Sequence, residues 1–116
     1  MNRTRRKKLR GIVLELMSMR ESGFDWLGLD NVLTDCNYKL DELVMEEEKA
    51  LDSFPDNFRY CDEADRMYDS LELMSGVCIN MDFLHKDLMT HHEWKYADIR
   101  PKIVEMVNEL NAIIEQ

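Results

Sequence analysis

Helix breakers are scarce in this sequence, with two prolines and four glycines in 116 residues. At 45% hydrophobic residues, so few interruptions favour one packed, mostly helical domain over residues 1–116 rather than disorder. Cysteine is scarce as well. Cys36, Cys61 and Cys78 are odd in number and widely spaced, which fits no CxxC zinc or redox pattern and points to reduced thiols in a cytosol. No run approaches the roughly 18 consecutive apolar residues of a membrane span. The basic start is not followed by the apolar stretch and small-residue cleavage site of a signal peptide.

Catalytic signatures are missing too. There is no glycine-rich phosphate loop, no nucleophile elbow and no cysteine flanked by an evident base. Carboxylate pairs such as Asp62 and Asp65 keep ordinary acidity in solvent and make poor general acids. His85 falls in step with an apolar stripe, and His91 and His92 are adjacent, so neither His-x3-His nor His-Glu-x-x-His spacing exists. The expectation is a non-enzyme with no cofactor and no metal.

What the chain has in excess is acid. Its net charge is −9, yet residues 1–10 hold six basic residues (Arg3, Arg5, Arg6, Lys7, Lys8, Arg10) and no acidic one. The remaining residues carry nine basic against 24 acidic side chains, a net of −15. Such a surface repels nucleic acid and attracts basic protein surfaces in a salt-dependent way. The basic run lacks interleaved aromatics, so pairing with the chain's own acid is expected ahead of direct nucleic-acid binding.

Apolar periodicity supplies the fold. Leu29, Leu33, Cys36, Leu40, Leu43, Ala50 and Phe54 advance by threes and fours, with Glu47 the one charged interruption. Ala64, Met67, Leu71, Met74, Cys78, Met81 and Leu88 form a second such stripe. Ser53-Phe54-Pro55-Asp56-Asn57 separates them, with Pro55 as the stop. The pattern predicts an all-α protein: a long antiparallel hairpin (about 30–54 and 59–89), capped at Asp30 or Asn31. Shorter terminal helices pack at its base to give a four-helix-bundle-like arrangement. The first covers residues 4–20 with Leu9, Ile12, Val13, Leu16 and Met17 inward, and Gly23 ends it. The last covers residues 99–115, capped near Asp98, with Pro101 in its first turn. Phe24 and Trp26 are expected to plug the base, the methionine stripe to be pliable core, and Asn37, Asn80 and Asn108 to fix register. The terminal helices are short, so the turn between the long helices should project.

The candidate working surface is therefore the acidic hairpin face: Glu46, Glu47, Glu48, Asp52, Asp56, Asp62, Glu63, Asp65 and Asp69. Carboxylates about one helical turn apart (roughly 5–6 Å) approximate the spacing of phosphates along a strand. Residues 2–9, NRTRRKKL, and residues 46–58, EEEKALDSFPDNF, resemble small helical proteins of phages and mobile elements of Gram-positive bacteria. Those open with N-R-x-R-R-K-x-L and join two acidic helices through an N-I-P-E-N-L-like turn. The resemblance covers about two-thirds of the chain and departs from it at residues 23–28 and after Leu88. It implies a protein acting in a bacterial host cytosol, of a kind often found among anti-CRISPR and anti-restriction inhibitors. The expected function is thus inhibition of a host nucleic-acid-handling enzyme, concretely a Cas nuclease, through an acidic, nucleic-acid-mimicking surface. A helical homo-oligomeric assembly module, such as a homodimer, is the second reading.

Overall fold

The structure is a computed structural model that describes residues 1–19, 25–55, 61–91 and 93–116. Four helices follow in order: α1 (Arg3–Met17), α2 (Trp26–Asp52), α3 (Asp62–Thr90) and α4 (Tyr96–Ile114). Each packs against two neighbours, and the ring closes because α1 also meets α4. Cross-links show that neighbours run antiparallel. Arg5 meets Glu47 and Glu15 meets Lys39 between α1 and α2. Asn37 meets Asp82 and Asp30 meets His85 between α2 and α3. Between α4 and α1, Arg6 donates to the Gln116 carbonyl and the Tyr96 hydroxyl to that of Met19. This is an up-down four-helix bundle, 53 × 23 × 18 Å in extent.

The core follows the threes-and-fours stripes. Leu29, Leu33, Cys36, Leu40 and Leu43 of α2 are buried, as are Met74, Met81, Leu84 and Leu88 of α3. Leu9, Ile12, Val13 and Leu16 from α1, and Ile99, Ile103, Met106, Val107, Leu110 and Ile113 from α4, complete it. Met17 was expected among them but is exposed. α1 ends there, earlier than residue 20, and the 3.6-residue period carries position 17 round to the outside. Of the three expected register asparagines, only Asn37 links helices, through its 2.8 Å bond to Asp82; Asn80 and Asn108 are exposed.

Two helix starts differ from expectation. α2 begins at Trp26, and its N-cap is Asp25, not Asp30 or Asn31. The Asp25 carboxylate accepts from the Gly28 amide at 2.6 Å, and a Cβ on Gly28 would sit 3.2 Å from that carboxylate oxygen. Gly28, which precedes the cap expected at Asp30 or Asn31, thus lies in the first turn, where the absence of a Cβ leaves room for the capping carboxylate. Asp25→Ala should cost about 1 kcal/mol in urea unfolding, as is usual for N-caps, while Asn31→Ala, now mid-helix and exposed, should leave the midpoint nearly unchanged. α4 begins at Tyr96, where the Asp98 carboxylate reaches back to accept from the Lys95 amide at 2.8 Å. Pro101 consequently lies in the second turn, so the Ala97 carbonyl loses its usual donor, on the exposed side of the helix. The breaking role of Gly23 and the Phe24 plug lie outside the described residues, as does the Trp26 side chain.

At the far end of the hairpin, Leu51, Ala64 and Met67 form a separate small core with partly buried Phe54. α1 starts level with Glu47, so α2 runs only five residues past it, roughly 8 Å. The end of α2 therefore projects past the start of α1 by little more than one turn.

Candidate partner-binding surface

The nine carboxylates expected on one face separate into four groups. Glu47 lies inside the bundle, with none of its side chain exposed. Arg5 Nε donates to its Oε2 at 2.6 Å, and the Met1 ammonium lies 3.2 Å from its Oε1, a charge contact without hydrogen-bond geometry. Glu47 therefore continues the core stripe between Leu43 and Leu51 and has no place on a docking surface. Its charge is tolerated there because two cations from the start of the chain reach it. Glu46 and Glu63 sit at the margin. Glu46 accepts from Lys8 at 2.9 Å, while Glu63 contacts Arg66 at 3.4 Å and the Met1 ammonium at 3.9 Å. Glu48, Asp52, Asp62, Asp65 and Asp69 are exposed and make no ion pair with any described residue. Asp56 lies outside the described residues.

The basic run divides in the same way. Arg5 and Lys8 pair with α2, as the sequence leads one to expect, and Arg6 donates to the Gln116 carbonyl at 2.5 Å. Arg3, Lys7 and Arg10, at positions i, i+4 and i+7, share the outer face of α1 and pair with no described residue.

Sequence reasoning missed the apolar groups set among the acids. Tyr38 and Met45 of α2 are each 66% exposed, and Tyr68 of α3 is 52% exposed. Each has carboxylates one turn away: Asp41 lies between Tyr38 and Met45, Glu48 follows Met45, and Asp65 and Glu72 flank Tyr68. Tyr38 borders the α2/α3 seam together with Asp41 and Asp82. The signal was available, since positions 38 and 45 are seven apart and fall off the buried stripe. Between residues 40 and 52 and between 62 and 85, the basic residues are only Lys49 and Arg66.

Other candidate groups have local roles. His85 is half-buried and its Nδ1 meets the Asp30 carboxylate across the hairpin base. His91 stacks on Trp94 with ring centroids 4.7 Å apart, and Lys102 lies 5.4 Å over the same indole. No group of three or more His, Cys, Asp or Glu is arranged to hold a metal among the described residues. No described helix is long and apolar enough to cross a membrane. Burial pushes both the Cys36 and the Cys78 thiol up to about 12, helped by Glu15 and by Asp41 respectively. Both stay protonated and unreactive near neutrality. In native protein a thiol reagent at pH 8 should modify Cys61 alone within minutes, and Cys36 and Cys78 only after urea unfolding.

The site thus offers charge and shape rather than reactive groups. No protein-family model matches this chain. Nor does any curated protein or solved structure match it significantly.

Proposed function

We propose that this is a non-enzymatic binding protein whose α2/α3 face engages a basic surface of a nucleic-acid-handling protein and blocks it. The observation carrying the reading is the concentration of exposed carboxylates without an ion pair to any described residue, Glu48, Asp52, Asp62, Asp65 and Asp69, at one end of the hairpin, where Lys49 and Arg66 are the basic residues nearby in sequence. Five uncompensated carboxylates along two helices repel one another, a standing cost that a cationic partner relieves. Along α3, Asp62, Asp65 and Asp69 repeat every three to four residues, one turn or about 5.4 Å apart, which is suited to cationic sites that otherwise hold phosphates. Tyr38, Met45 and Tyr68 add apolar and aromatic contact area, and tyrosine is favoured at the centre of interfaces. Given the resemblance of residues 2–9 and 46–58 to phage and mobile-element proteins, the concrete form is an anti-CRISPR inhibitor of a Cas nuclease in a bacterial cytosol.

The experiment is charge reversal at positions free of internal partners. The triple variant Asp52→Lys, Asp65→Lys, Asp69→Lys should melt within a few degrees of the parent, because exposed substitutions usually change stability by no more than ~0.5 kcal/mol each. It should nevertheless lose at least about tenfold in affinity for the basic target, since rim charges steer association. Equal binding by parent and variant would rule the acidic face out as the working surface.

A further inference from the structure

On the opposite side of the ring from the α2/α3 seam, α1 and α4 leave a groove of about 330 Å³. Its floor is apolar, formed by Leu16, Ile103 and Val107, and exposed Met17 and Val104 stand at its lip. Arg100, Asn108 and Asn111 supply its polar rim. In a chain with 24 acidic residues, no carboxylate lines this groove among the described residues. The adjoining outer row of α1 carries Arg3, Lys7 and Arg10. Arg10 and Arg100, like Arg3 and Lys7, are exposed and make no ion pair with a described residue. The molecule is therefore two-faced: an apolar groove with cationic flanks on one side, and apolar knobs among unpaired anions on the other.

We propose that the occupant of the α1/α4 groove is the α2/α3 face of a second copy of this chain. Charge complementarity selects that occupant, since the groove flanks are cationic and the face carrying Tyr38, Met45, Asp41 and Glu48 is anionic. The knobs match in character as well: Tyr38 and Met45, two turns apart on α2, provide exposed apolar groups for an exposed apolar lip. Because the two seams lie on opposite sides of the bundle, one contact cannot be returned by the same pair of molecules. The association is head-to-tail and adds further copies instead of closing as a two-fold dimer. This goes beyond the inhibitor reading and does not rest on it; each can fail alone. Self-association would cover part of the acidic face and so compete with any basic target.

Sedimentation equilibrium tests it. From about 10 μM to 1 mM, a range suited to weak contacts, the average mass of the parent should rise from 13.8 kDa past twice that value without a plateau. Arg10→Gln with Arg100→Gln removes the groove's charge, and Asp41→Asn with Glu48→Gln removes that of the knob face. Each double variant should stay monomeric alone, yet an equimolar mixture of the two should stop at a 1:1 dimer, because each retains one intact half. Circular dichroism melts of both variants establish that they are folded. A parent that stays monomeric over the whole range, a parent that levels off at a dimer, or a mixture with no 1:1 species would each overturn the proposal.

Discussion

Glu47→Ala is expected to lower unfolding stability by about 3–5 kcal/mol, the usual consequence of removing one partner from a buried ion pair. For a helical domain of this size that is a fall in melting temperature of more than ten degrees. The reason is local. With no exposure at Glu47, the substitution leaves the Met1 ammonium, itself nearly fully buried, without its nearest counter-charge. It also strips Arg5 Nε of a 2.6 Å acceptor and opens a gap between Leu43 and Leu51. Glu47→Leu should recover part of the loss by filling that gap, but Arg5 Nε would lose its acceptor and the Met1 ammonium would keep only the 3.9 Å contact to Glu63. Arg5→Ala should cost less than Glu47→Ala, because the Met1 contact survives it. Chemical denaturation of the three variants orders them. Loss of partner binding in a Glu47 variant would then report on folding and not on the surface.

Leu40→Ala is the second large effect, at about 2–5 kcal/mol, as for other fully buried leucines that leave a cavity. Leu40 is completely buried in the middle of α2, between Cys36 and Leu43. Leu14→Ala is the matched control. It deletes the same atoms from α1, but Leu14 is 69% exposed and should change the unfolding free energy by no more than about 0.5 kcal/mol. The contrast measures how far burial, and not leucine content, stabilises the bundle.

The four helices and their inward faces were legible because the stripes at Leu29–Leu43 and Met67–Leu88 are long and regular, and Pro55 separates them without ambiguity. The helix starts were less so. The cap of α2 was expected at Asp30 or Asn31, next to the first residues of the apolar stripe, whereas the Asp25 carboxylate caps it one turn earlier by accepting from the Gly28 amide. Glu47 posed the sharpest conflict between periodicity and charge: its register points inward, its carboxylate outward. Assigning it to the acidic face followed charge. Periodicity prevailed because Met1 and Arg5, more than forty residues away in sequence, arrive from α1 to neutralise it. That is a tertiary fact no local pattern contains. The exposed Tyr38, Met45 and Tyr68 escaped notice for the opposite reason, since apolar residues are read as core unless their register is followed to the outside.

The same separation of inner from outer acids defines the surface that remains. Glu48, Asp52, Asp62, Asp65 and Asp69 are available to a cationic partner, and Glu47 is not. Competition is the most direct measurement of the claim that this surface displaces nucleic acid. A fluorescent DNA duplex bound in the basic channel of a Cas nuclease is titrated with the chain while anisotropy is followed. The account predicts displacement by the parent, weakening steeply with added salt, and at least about tenfold weaker displacement by the Asp52→Lys, Asp65→Lys, Asp69→Lys variant. DNA that stays bound, or equal displacement by parent and variant, would contradict it.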